Sequence, residues 1–80
     1  MTTEFFALNK FIQQNKLKDK QDISKEELTS FLMLETKKSI STIRNAIYFF
    51  ISLGFLEKKD RTTFKFNKIK FDEFMRSDSQ

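Results

Sequence analysis

The stretch KKSISTIRNAIYFFISLGFLEKKDRTTFKF, residues Lys37–Phe66, opens on two lysines and a serine and runs on through an apolar pattern to the chain's one glycine. Plotted at about 100° per residue, Ile40, Ile43, Ala46, Ile47, Phe50, Ile51 and Leu53 share one broad arc. Arg44, Tyr48, Ser41, Ser52 and Asn45 fall in an opposite arc roughly 100° wide, with Phe49 and Thr42 on the border. The spacing predicts a helix over 39–53, capped by Ser39 or Ser41. Gly54 ends it, because glycine most readily takes the left-handed conformation just past a helix end.

The following FLEKKDRTTFKF reads as a β-hairpin. Side chains alternate across a strand. Placing Leu56 on the face of Phe64 and Phe66 therefore requires an odd loop around Asp60 and Arg61, three to five residues long. Glu57, Lys59, Lys65 and Thr63 then point outward. The alternation breaks at Asn67, which predicts a strand end or bulge. FDEFMRSDSQ predicts a short C-terminal helical turn capped by Asp72 and packing Phe74 and Met75, with a frayed polar tail over 77–80.

Toward the N-terminus, ISKEEL carries a helix start. Ser24 and Glu27 form a capping box, and Ile23 with Leu28 forms a hydrophobic staple. Leu28, Phe31 and Leu32 make the buried face of a short second helix ending near Leu34. KLKDKQD is a loop. Before it, Phe5, Leu8, Phe11 and Ile12 mark a first helix from Thr3 to about Lys16, with Phe6 and Leu17 off its main stripe.

Eighty residues argue for one domain, assigned to 1–76. So small a chain buries a limited core, and without cysteine it has no disulfide or thiolate metal site to staple it. Eleven phenylalanines are the compensation, with oligomerisation as the other route. No apolar run approaches the roughly 20 residues of a membrane span, and the N-terminus lacks the order of a signal peptide, so a cytoplasmic location is expected. Lys37–Lys70 holds nine basic against two acidic residues and the rest six against nine, which puts +7 in that segment and −3 elsewhere. Such polarity fits a nucleic-acid footprint, with a solvated lysine-rich surface as the alternative.

The segments SKEELTSFL, SISTIRNAIYFFISLGFLEKK and RTTFKF resemble the winged helix-turn-helix family of DNA-binding domains. The pattern S-x-x-T-I-R-x-A-I-x-x-x-x-x-x-G-F-L-E-K is similar to small bacterial, phage or plasmid repressors of the GntR and MarR kind. The match covers about Ile23 to Phe66. It implies a mainly α fold with a small β-hairpin: three helices, a wing, and the short C-terminal helical turn. The turn LETKKSIS is about two residues longer than is usual in that family, and the wing is very short.

The resemblance implies a major-groove face of Ser41, Thr42, Arg44, Asn45 and Tyr48. Arginine pairs bidentately with guanine and asparagine with adenine. Lys37, Lys38 and Ser39 precede the helix, where amides and dipole favour a phosphate. A plain charged turn is the alternative. Lys58, Lys59 and Arg61 suit phosphates beside the 58–63 wing, or else a lysine-rich edge that discourages strand pairing. Phe6, Leu17, Phe49 and Phe55 are left over from the core pattern. Phe6 and Leu17, with Phe71, Phe74 and Met75, form the expected homodimer patch.

Without histidine or cysteine, and with one glycine, the chain lacks the residues for a Ser–His or Cys–His pair, a zinc set or a glycine-rich phosphate loop. Glu26–Glu27 and Asp72–Glu73 sit at helix starts, where acids serve as caps. Neither catalysis nor a cofactor, metal or small-molecule ligand is expected. The expected function is sequence-specific binding of double-stranded DNA by a small transcriptional regulator. A replication or partition protein, and a winged-helix protein–protein interaction module, are the alternatives.

Overall fold

The computed structural model describes residues 2–78. The chain is mainly helical with a small three-stranded antiparallel sheet, an arrangement compatible with a winged-helix fold. Its elements run α1 (Thr3–Asn15), β1 (Asp22–Ser24), α2 (Lys25–Thr36), α3 (Ile40–Ser52), β2 (Leu56–Lys58), β3 (Thr63–Phe66) and α4 (Lys68–Asp78).

Each helix starts where a short polar side chain can accept from the first free amides. Thr2 Oγ1 accepts from Phe5 N at 3.2 Å, Ser24 Oγ from Glu27 N at 3.3 Å, and Ser39 Oγ from Thr42 N at 3.4 Å. Asn67 does the same for α4, its Oδ1 accepting from Lys70 N at 3.1 Å. The cap is therefore Asn67 and not Asp72, and α4 is an eleven-residue helix where a single turn was expected. The expected tail at 77–80 falls partly in this helix, and residues 79 and 80 lie outside the described residues.

Two helix ends explain two misread apolar residues. At Gly54 (φ 87°), the Gly54 N–H donates to Ile51 O and the Phe55 N–H to Phe50 O, both at 3.0 Å. This Schellman closure turns Phe55 back onto Phe50, with ring centroids 6.3 Å apart. At the end of α1 the left-handed residue is Lys16 (φ 48°). There the Leu17 N–H reaches Ile12 O at 3.1 Å, and Leu17 is returned to the core. The helical stripe leaves Leu17 out and the hairpin pattern leaves Phe55 out, because neither period applies at a helix cap.

The turn between α2 and α3 is also shorter than expected. α2 continues to Thr36, which leaves three residues, Lys37–Ser39, with Lys37 in the left-handed conformation (φ 57°).

In the sheet, β3 is central, in the order β1-β3-β2. Leu56 pairs with Phe66, Glu57 with Lys65 and Lys58 with Phe64, which is the register an odd hairpin loop demands. Leu56, Phe64 and Phe66 are buried. On the other side Ile23 pairs with Phe64, so DIS is a third strand where only an extended link was read.

The core gathers α1, α2, α3 and the sheet around Leu8, Leu28, Leu32, Ile43, Phe50 and Phe66. α4 closes it through an aromatic cluster. Phe5 lies 5.6 Å from Phe71 and 5.2 Å from Phe74, and Phe55 lies 5.2 and 5.3 Å from the same two rings. Contacts of this kind contribute roughly 0.5–1.5 kcal/mol beyond the area they bury.

The expected dimer patch changes accordingly. Leu17 (6% exposed) and Phe71 (2%) are core residues and cannot form a surface. Phe74 and Met75 are half-buried against that core. Of the five, Phe6 alone is fully outside it, at 60% exposed. Of the leftover apolar residues, Leu17 and Phe55 belong to the core, whereas Phe6 and Phe49 are exposed.

Candidate nucleic-acid interface

α3 is anchored by Ile43, Ile47 and Phe50 and leaves its other side to solvent. Ser41, Thr42, Arg44, Asn45 and Tyr48 are all exposed there. The hydroxyls of Ser39, Ser41 and Thr42 cluster at its start, 3.4 and 3.2 Å from Ser39 Oγ. Ser52 turns back onto its own helix, its hydroxyl donating to Phe49 O at 2.7 Å.

The exposed face divides in two. Arg44 and Tyr48 line an open groove of about 370 Å³ bounded by α2, α3 and the β2–β3 hairpin. Ser41 and Asn45 do not line it. Lys58 and Arg61 line the groove from the hairpin side, so the structure brings four of the sequence-predicted residues, from two separate segments, to one concavity. Sequence reading missed the α2 contribution, with Lys25, Thr29 and Met33 completing the wall. Only the spacing of Lys25, Thr29 and Met33 at i, i+4, i+8 marks one helix face, and nothing in the linear pattern points it at the hairpin.

The hairpin does not stand free. Its tip is held to the start of α2 by the Lys25 N–H donating to Thr62 O at 2.8 Å. Asp60 Oδ1 accepts from Thr62 N at 2.9 Å, and this backbone hydrogen bond, foremost, holds the Asp60 carboxyl below its ordinary range.

Two of the predicted cations are engaged elsewhere. Lys59 Nζ donates to Asp22 Oδ2 at 2.7 Å, and that bond, reinforced by the charge of Asp22, raises the lysine above its ordinary value. Lys38 pairs with Glu4 of α1, a nearly buried carboxylate. The hydrogen bond from Lys38 is the main cause that lowers the Glu4 carboxyl, against the opposing effect of burial. Lys38 thus ties the α2–α3 turn to α1. Among the described residues, Lys25, Lys37, Arg44, Lys58 and Arg61 make no ion pair.

Among the described residues no group of acidic side chains is arranged to hold a metal ion, and no helix is long and apolar enough to cross a membrane. The chain matches no family model, no curated protein and no solved structure with which it was compared.

Proposed function

We propose that the chain is a winged-helix protein that binds double-stranded DNA in a sequence-specific way, as a small transcriptional regulator. In this reading α3 enters the major groove and the β2–β3 hairpin is the wing. One observation carries it. An exposed helix face of Arg44, Asn45 and Tyr48 has no acidic residue on it, and unpaired Lys58 and Arg61 stand beside it on the hairpin.

A major groove admits one α-helix, and arginine and asparagine are the side chains that read guanine and adenine bidentately. Lys58 and Arg61 supply charge for phosphates, which position the protein without specifying sequence. The short hairpin, tied to α2 at Thr62, suits that limited role and not deep base reading. Lys37 extends the positive edge at the start of α3, whereas Lys38 and Lys59 are largely neutralised by Glu4 and Asp22.

The test is the affinity for mixed-sequence duplex DNA at two salt concentrations. A phosphate-contacting protein loses affinity steeply as salt rises, because binding releases counterions. No duplex binding at low salt contradicts the proposal.

A further inference from the structure

Arg44 is the only charged residue of α3, and no acid lies on that helix. The four bases ask different things of a helix in the major groove. Guanine is read by a cation, the cytosine amino group by a carboxylate, adenine by an amide, and thymine by apolar carbon against its C5-methyl. The exposed side chains of α3 therefore restrict which bases it can take.

The serine and threonine hydroxyls of α3 are already engaged. Ser41 Oγ and Thr42 Oγ1 lie 3.4 and 3.2 Å from Ser39 Oγ, and the Ser52 hydroxyl donates to Phe49 O at 2.7 Å. Arg44 and Asn45 are then the two forked readers, one for a guanine and one for an adenine. What remains on the face is aromatic. Tyr48 is 64% exposed and Phe49 is 58% exposed. A single exposed phenylalanine is ordinary on a protein surface. Phe49, however, follows Asn45 by four residues and so lies one turn further along the same strip of the helix. It gives that strip apolar carbon, where thymine offers a methyl.

Resting on the DNA reading above, we propose that the recognised duplex is A·T-rich with a single directly read G·C pair, and that Phe49 selects thymine through its C5-methyl. Arg44 takes the guanine and Asn45 takes an adenine. Asn45 to Phe49 covers about 6 Å of helix, against roughly 3.4 Å per base-pair step, so the thymine lies within two base pairs of that adenine. Moving one methyl from water onto the phenylalanine ring corresponds to about fourfold in affinity.

The test takes the duplex selected from a random pool and replaces each thymine in turn by deoxyuridine. The exchange removes the methyl and keeps the hydrogen-bonding edge. Affinities of the parent chain and of Phe49→Ala are read by fluorescence anisotropy. Phe49 is exposed, so its truncation should leave the fold intact, and the parent series tests the methyl without any variant. The selected site should be mostly A·T, with one G·C pair whose preference Arg44→Ala abolishes. In the parent, one exchange within two base pairs of the adenine that Asn45→Ala releases should weaken binding about fourfold. In Phe49→Ala the same exchange should have no effect. A parent chain indifferent to every exchange overturns the thymine assignment, and so does a loss that persists undiminished in Phe49→Ala. A selected site specified mainly by G·C pairs overturns the inference and leaves the DNA reading standing. A pool that yields no enriched sequence removes the DNA reading, and this inference with it.

Discussion

Lys59 Nζ lies 2.7 Å from Asp22 Oδ2, so a hairpin cation expected from the sequence to meet phosphate is paired with an acid 37 residues earlier in the chain. The pairing separates the three basic residues expected at phosphates, Lys58, Lys59 and Arg61, into one that is paired and two that are not, and it changes what their removal should do. Arg61→Ala and Lys58→Ala should each flatten the slope of log affinity against log salt by about 0.9, the counterion release expected per phosphate contact. Lys59→Ala should change it little. Asp22→Asn should free the Lys59 ammonium and steepen the slope. Equal flattening by all three alanine variants would show that the Lys59–Asp22 pair opens on DNA.

A second prediction follows from the helix ends. Leu17→Ala should lower the unfolding free energy by about 2–5 kcal/mol and Phe71→Ala by about 3–5, the range for truncating buried side chains. Gly54→Ala should cost about 1–2 kcal/mol, because an alanine there must hold a left-handed backbone. Urea titration checks all three. Leu17→Ala or Phe71→Ala that keeps full stability and alters only sedimentation would return that residue to an intermolecular surface.

Much of this architecture was legible because the deciding signals are local. Ser24, Ser39 and Gly54 mark helix limits by their own chemistry, and the pattern of Leu56, Phe64 and Phe66 fixes the hairpin register. What was not legible depends on distance in sequence or on the chain leaving a regular period. Asp22–Ser24 is three residues long, too short to show alternation, and becomes a strand only against Thr63–Lys65. Leu17 and Phe55 lie past their caps, where a Schellman turn decides their direction. The site divides the same way. A helical projection finds Arg44, Asn45 and Tyr48 on one side of α3, but it cannot find Met33 and Lys25 facing Arg44 across a groove. Nor can it assign Lys38 to Glu4, since the two are 34 residues apart.

That last pair gives a pH prediction. The folded-state Glu4 carboxyl is lowered, principally by the hydrogen bond from Lys38. Its stabilising contribution is present above the ordinary glutamate value, about 4.3, and is lost as pH falls through the lower folded value. Glu4→Gln should therefore be less stable than the parent near neutrality, with the gap closing as pH drops below about 4. Urea midpoints of both proteins across that range provide the check. A gap that persists unchanged in acid would mean that the pair's ionisation contributes nothing.

The most direct test of the central claim, that α3 reads duplex DNA, is selection of bound sequences from a pool of random duplexes, repeated with Arg44→Ala and Asn45→Ala. The parent chain should enrich a defined sequence. Each variant should bind that sequence more weakly by roughly 1–3 kcal/mol and relax preference at one base position. A pool that stays unenriched, or a selected site that both folded variants bind as tightly and as specifically as the parent, contradicts the account.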